Sequence, residues 1–273
     1  MKYIFKMECI TNMHVGSGEA NYNIIDNEVQ RDVVLTDVPT IHSSSLKGAL
    51  REHFETLYGK EDKRITKIFG SDKGDSTPGS YKFFSAKLIA RPLRVSNGDE
   101  PYLLATGKDM LKDFSDFLGG LQLGDFYQYY SSPSSSLNAL DFKECFYSAT
   151  DSVKELEGVP VKQINVQQHS EFIESIQKII DSKFAVTDSL RQYDLPVMAR
   201  NVLDDNGISK NLWYEEIVPH KSIFYFVIIT PENTEMELDF RSPIQIGANA
   251  SIGQGYTKIT QVYPNPDKEN CHE

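Results

Sequence analysis

Cysteine is scarce in this chain of 273 residues: Cys9, Cys145 and Cys271 are its only three, far apart and with no CxxC pair. That spacing offers neither a disulfide framework nor a structural zinc site, and leaves packing or inert surface as the role of each thiol. Long apolar runs are missing too. The longest, Ser222 to Thr230, is about one strand in length and far short of the roughly 20 residues that a membrane span needs. The opening Met1 to Lys6 alternates like a strand and lacks the apolar core and cleavage site of a signal peptide, so the chain is read as cytoplasmic and without a membrane partner. Basic residues are in the minority, 28 Lys and Arg against 39 Asp and Glu, for a net charge of -11. This excludes a protein that coats nucleic acid over its whole surface. A local groove of loop amides, a helix N-terminus and a few cations remains compatible with an acidic exterior.

What is present is a 40% apolar composition, enough for a sizeable core. Tyr3 to Thr11 alternates as a strand and is broken by the loop His14-Val15-Gly16-Ser17-Gly18. A mixed segment from Asn23 to Leu35 follows, and then Ser43-Ser44-Ser45-Leu46-Lys47-Gly48-Ala49-Leu50-Arg51. Leu46, Leu50, Phe54 and Leu57 share one face of a helix expected over about 45–58, with the serines as its cap. Tyr81 to Leu93 reads as a strand, and 99–184 as an insertion with helices near 108–118 and 170–181 and a solvated serine-rich loop at Ser131 to Ser136. Asp205-Asn206-Gly207 marks the turn of a hairpin within Val197 to Trp213. Strands are expected at Ser222 to Thr230 and Tyr256 to Tyr263, the second preceded by the glycine-rich run Gly247 to Gly255.

The His14 to Gly18 loop, the Ser44 to Arg51 helix start and the glycine-rich turn before the last strand resemble, in order and spacing, the RAMP superfamily of CRISPR proteins. Two further segments resemble the subgroup that forms the backbone of the Cmr-type (type III-B) effector complex. Asn23 to Asp32 is similar to its VDxPIxRE segment, and Asn211 to Pro219, with Leu212-Trp213-Tyr214-Glu215-Glu216, to its LWYEExxP block. Two departures stand out. The usual Pro after Asp26 is absent, with Asp26-Asn27-Glu28-Val29-Gln30-Arg31-Asp32 in place, and His42-Ser43 replaces Pro-Gly before the serine run, which alters what those loops can adopt.

The resemblance implies an α+β fold: a ferredoxin-like, RRM-related palm over about 1–98 and 220–263, a large insertion over 99–184, and a projecting β-hairpin thumb over 185–219, all within a single RAMP domain. It implies crRNA and complementary target RNA as ligands, other Cmr-type subunits as partners, and copies of the chain stacked head to tail in a helical backbone. It implies target-RNA cleavage at regular intervals, with a divalent metal ion, Mg2+ or Mn2+, as cofactor. Asp26 falls on the family's catalytic aspartate and is the expected metal ligand.

RNA can be cut by aligning its own 2'-hydroxyl with the adjacent phosphorus, so one carboxylate that binds a divalent ion or accepts a proton suffices. The plainer reading of Asp26 is a turn or capping aspartate. His14 is a second catalytic candidate, against an ordinary structural histidine. For RNA binding, Gly16 and Ser17 offer a loop, Ser44, Ser45, Lys47 and Arg51 a helix start with two cations, and Gly247, Gly253 and Gly255 a loop open to phosphates. Met198 and Arg200 place an apolar side chain and a cation on one hairpin face, where an apolar wedge can unstack a base. Glu215 and Glu216 read as a solvated acidic face, or as helpers of a neighbouring subunit's metal. The rival functions are a non-catalytic crRNA-binding scaffold, a guide-processing ribonuclease with a histidine-centred site, and a binding protein with no RNA affinity.

Overall fold

The computed structural model describes residues 1–18, 24–71, 77–123, 140–143 and 145–264. Asn23, the Ser131–Ser136 stretch and Cys271 lie outside the described residues. The fold is mixed α/β with β-sheet cores and few helices, divided into two compact units. The first comprises 1–87, 194–220 and 224–273, and the second 88–193 with 221–223. The insertion expected over 99–184 falls inside the second.

In the first unit β1 (Lys2–Cys9) is the strand that its alternation predicts, followed by β2 (Thr40–Ile41), α1 (Ser43–Tyr58), α2 (Lys63–Phe69) and β3 (Lys82–Phe83). The second unit holds most of β4 (Ala86–Gly98), then β5 (Tyr102–Gly107), α3 (Lys108–Gly120), β6 (Phe146–Ser148), β7 (Val153–Leu156), β8 (Val159–Gln163), α4 (Ser170–Ile180) and β9 (Phe184–Thr187). The chain then returns to the first unit with β10 (Val197–Leu203), β11 (Ser209–Glu216), β12 (Ile223–Ile229), β13 (Ile244–Gln245) and β14 (Tyr256–Tyr263).

The sheet of the first unit runs β13-β14-β1-β12, with β3 beside β12. β1 is therefore central, and its alternate residues Tyr3, Phe5 and Met7 are buried, as are Ile4 and Cys9. Burial raises the Cys9 thiol's pKa, in keeping with an inert packing residue. α1 covers the sheet through Leu46, Leu50 and Phe54. An aromatic cluster joins these layers: Phe5 lies 5.1 Å from Phe226 and 4.7 Å from Phe240, and Phe54 lies 5.6 Å from Phe240 and 6.4 Å from Phe69. Such ring pairs add to the burial term at a preferred geometry. Leu57, expected on the same face, is instead 52% exposed, because the apolar stripe of α1 ends one turn before the helix does.

The strand expected over Tyr81 to Leu93 is two strands. Phe84 and Ser85 break it: the Phe84 N–H turns to the Val227 carbonyl, and Ser85 Oγ accepts from Ser43 N. In the second unit the order is β4-β5-β9-β6-β8-β7, and β7 pairs back with the far end of β4 through Val95 and Leu156, so the strands close on themselves. Closure removes the open edges that invite pairing with other chains.

Candidate functional site

The hairpin β10–β11 is antiparallel from Val197↔Glu216 to Leu203↔Ser209, with a register shift at Val202. Its turn is built by Asp204, whose carboxylate accepts from Asn206 N and Ile208 N, and by Gly207 at φ 77. Both faces of the outer half are exposed, including Val202, Leu203, Ile208 and Leu212. Only the base is tied down, and the ties converge on residues that the sequence singled out.

Asp26 is one of them. Its backbone N–H donates to Tyr214 O at 3.1 Å, and its Oδ2 accepts from Tyr214 N at 2.7 Å. The segment then runs beside β11, with Asn27 in a parallel bridge to Glu215 and Glu216 N donating to Asn27 O at 3.0 Å. Asp26 is exposed, and its second carboxylate oxygen has no protein partner among the described residues. The plainer reading of a turn aspartate is thus half met: one oxygen anchors the loop to the hairpin, and the other faces outward.

Glu215 and Glu216 are not a solvated face: they are 6% and 4% exposed. Glu215 accepts from Trp213 Nε1 at 2.8 Å, Asn249 Nδ2 at 2.9 Å, Arg200 Nε at 3.1 Å and Asn27 Nδ2 at 3.4 Å. Burial raises its pKa, but the bonds from Trp213, Arg200 and Asn249 outweigh burial and leave it below the ordinary glutamate value. Glu216 takes Arg31 at 2.5 Å and Val29 N at 3.1 Å. Consecutive strand residues point to opposite faces, so both are buried only because the hairpin base sits between the Asp26 segment on one side and the glycine-rich loop on the other. Nothing local in the sequence signals that.

His14 is 5% exposed, with Nδ1 2.7 Å from the Glu216 carbonyl. A carbonyl only accepts, so Nδ1 carries the hydrogen, and Nε2 faces Gly16, whose Cβ position lies 3.1 Å away. The His14 carbonyl accepts from Ala248 N at 2.8 Å. His14 therefore stands within the wall of the site, where it ties the loop to the hairpin.

The glycines divide by cause. A Cβ at Gly247 would meet His14 O at 2.3 Å, and one at Gly255 would meet Ile246 O at 2.1 Å, so these two allow the chain to approach itself. Gly253, at φ 78, has open space around it. Gly255→Ala is expected to destabilise the fold by about 2–3 kcal/mol, strain and overpacking together, and Gly253→Ala by about 1 kcal/mol from φ alone. Denaturant midpoints of the two variants check the difference.

Gly16 forms an antiparallel bridge with Val29, and Ser17 N donates to Glu28 O, both in the same wall. Met198 and Arg200 share a hairpin face as expected, but Arg200 turns onto Glu215 and Met198 lies 3.9 Å from Gln254 Nε2. Neither is a free reader at the hairpin tip.

Ser44, Lys47 and Arg51 lie elsewhere. With Ser43, Lys82, Phe83 and the Gly70 and Gly79 backbone they line a cavity of about 800 Å³, whose lining includes none of the Asp26 wall. Arg51 also pairs with Glu55 at 2.6 Å. α1 begins at Ser43, with His42 as an N-cap that makes no side-chain cap bond. Ser45 is not the cap: its Oγ accepts from Gln30 Nε2 at 2.8 Å. Sequence reasoning missed Gln30, a polar residue 7% exposed that falls on a variable position of the Asn23 to Asp32 segment.

No group of three or more His, Cys, Asp or Glu able to hold a metal is present among the described residues. Asp26 fits a Mg2+-type ion only in the mode where one carboxylate shares it with substrate phosphates and water. Also among the described residues, no helix is long and apolar enough to cross a membrane.

The sequence model of the RAMP superfamily matches residues 6–258. The chain is 24% identical to the CRISPR system Cmr endoribonuclease Cmr4 of Pyrococcus furiosus, over 94% of this chain and 95% of that one. It is 28% identical to the CRISPR system CMR subunit Cmr4 of Saccharolobus solfataricus, over 81% and 82%. Among solved structures, a chain of the type III-B Cmr-beta complex bound to cognate target RNA superposes with a TM-score of 0.79 at 23% identity, covering 96% of this chain and 97% of that one. Oligomeric Cmr4 from Pyrococcus furiosus superposes with a TM-score of 0.64 at 18% identity, over 95% and 97%.

Proposed function

Because the chain belongs to the RAMP superfamily, we propose that it is a backbone subunit of a Cmr-type (type III-B) CRISPR effector complex, binding crRNA and cutting complementary target RNA at regular intervals. On this reading the first unit contains the ferredoxin-like palm, the closed ring of strands is the insertion, and the β10–β11 hairpin is the thumb. Copies assemble head to tail in a helical backbone with the other Cmr-type subunits. The observation that carries the proposal is the attachment of Asp26 to the hairpin base: Tyr214 N fixes Oδ2 and leaves the second oxygen exposed beside the projecting arm. A hairpin with exposed apolar residues on its outer half suits the separation of bases. A carboxylate at its root then stands where a splayed nucleotide would be.

The chemistry follows from RNA itself. The 2'-oxygen bonds to the adjacent phosphorus, the bond from phosphorus to the 5'-oxygen breaks, and the departing oxygen takes a proton from water. Asp26 accepts the 2'-hydroxyl proton on its exposed oxygen. A carboxylate oxygen has room for a second partner, so Asp26 would also hold Mg2+ or Mn2+ together with RNA phosphate oxygens and water. A divalent ion there supplies neutralisation of phosphoryl charge. His14, Glu215 and Glu216 position the loop and the hairpin. The reconstituted complex, with guide RNA and either ion, is expected to give target fragments ending in a 2',3'-cyclic phosphate and a 5'-hydroxyl. A free 3'-hydroxyl at the cut would sink the mechanism.

A further inference from the structure

We propose that Gln30 is a positioning residue: its buried carboxamide joins the Gly16–Ser17 loop to the first turn of α1 and fixes Ser45 as a hydrogen-bond donor towards RNA phosphate. The inference rests on the RNA-binding reading above. Gln30 Oε1 accepts from His42 N at 2.8 Å, and Nε2 donates to Ser45 Oγ at 2.8 Å and to Gly16 O at 3.3 Å. Its backbone adds to the junction, with N donating to Val15 O and O accepting from Thr40 N. The orientation of the amide is forced. A backbone N–H only donates and a carbonyl only accepts, so the oxygen must face His42 and the nitrogen Gly16.

Ser45 Oγ is therefore an acceptor towards Gln30, and its own proton meets no acceptor among the described residues. Ser44 and Ser45 occupy the first turn of a helix of 16 residues, where backbone N–H groups have no intrahelical partner and favour an anion. A hydroxyl turned outward beside them adds a neutral donor to that site. His42 makes no side-chain cap bond, so the first-turn N–H groups gain no cap from it, and Gln30 Oε1 pairs the N-cap N–H in the manner of a capping-box acceptor. One side chain thus sets the register between two segments that the sequence offers for RNA binding.

The test is titration of a labelled single-stranded guide RNA with the full chain across a salt series, for wild type, Gln30→Met, Gln30→Glu, Ser45→Ala and Gln30→Met/Ser45→Ala. Gln30→Glu keeps an acceptor for His42 but accepts the Ser45 proton, turning the hydroxyl inward. Each single change is expected to weaken binding about tenfold or more, the value of one hydrogen bond to a charged group. The double variant should bind no more weakly than the weaker of its parents. The three charge-neutral variants, Gln30→Met, Ser45→Ala and their combination, should not alter the slope of affinity against salt, whereas Lys47→Ala should reduce it by about 0.7. A merely structural defect gives no such coupling to Ser45. Wild-type affinity in Gln30→Glu, or full additivity of Gln30→Met with Ser45→Ala, would overturn the inference and leave RNA binding standing. No affinity in the wild-type chain would overturn both.

Discussion

Asp26→Asn in the assembled complex should lower target cutting at least about a hundredfold, the low end of what a positioned proton acceptor contributes, while guide and target binding hold. The choice of Asn separates chemistry from architecture. Its side-chain oxygen can still accept from Tyr214 N, now met by Oδ2 at 2.7 Å, so the loop keeps its tie to β11. What is lost is the negative charge on the exposed oxygen, and with it both proton acceptance and attraction for a divalent ion. Asp26→Ala removes the tie as well, but Tyr214 is exposed and water can replace the acceptor, so assembly should survive there too. Cleavage assays at matched assembly decide. Undiminished regular cuts in Asp26→Asn would make the chain a scaffold and move the nuclease to another subunit.

Glu215→Gln should cost about 3–5 kcal/mol, the range for removing one partner of a buried ion pair. Arg200, Trp213 and Asn249 all donate to the carboxylate, whose side chain is 8% exposed. An amide at this place turns an NH2 group towards the Arg200 and Trp213 donors, while Asn249 Nδ2 keeps a second acceptor in Gln254 Oε1 at 3.2 Å. Thermal melting should fall by roughly 6–20 °C for a chain of this size. The pH dependence has a definite sign. Glu215 has a lowered folded pKa, so its contribution is fully present above the ordinary value of 4.5 and is lost as pH falls through the lower folded value. Wild type should therefore lose stability more steeply than Glu215→Gln below pH 4.5. Parallel acid limbs would show that the carboxylate is not the link.

The elements legible in the sequence are those whose signal is local. β1, β12 and β14 follow alternation or an apolar run, the helices at 108–120 and 170–180 follow their stripes, and the hairpin follows from Asn206-Gly207 between extended arms. The ring of the second unit was not legible, because β6, β7 and β9 are three or four residues long and acquire their faces only by pairing. At the site, Asp26 is singled out by its motif, and it is exposed. Glu215, Glu216 and Gln30 were misread or missed for one reason: a polar side chain is buried when distant chain brings it partners, and distance in sequence hides them. Ser45 shows the same effect, since Gln30 reaches the hydroxyl that helix-start rules assign to capping.

The place of β1 in its sheet has a consequence for how the molecule is made. Its neighbours are β12 and β14, so during synthesis β1 has neither flank covered until translation passes β12 at Ile223–Ile229. The strands from Leu88 to Tyr193 close a ring from nearly contiguous sequence and can mature in the meantime. At ordinary elongation rates β1 waits on the order of tens of seconds, with apolar residues exposed, for partners that arrive last. Nascent chains stalled before β12 should thus hold the closed strands of 88–193 and a β1 open to chaperones.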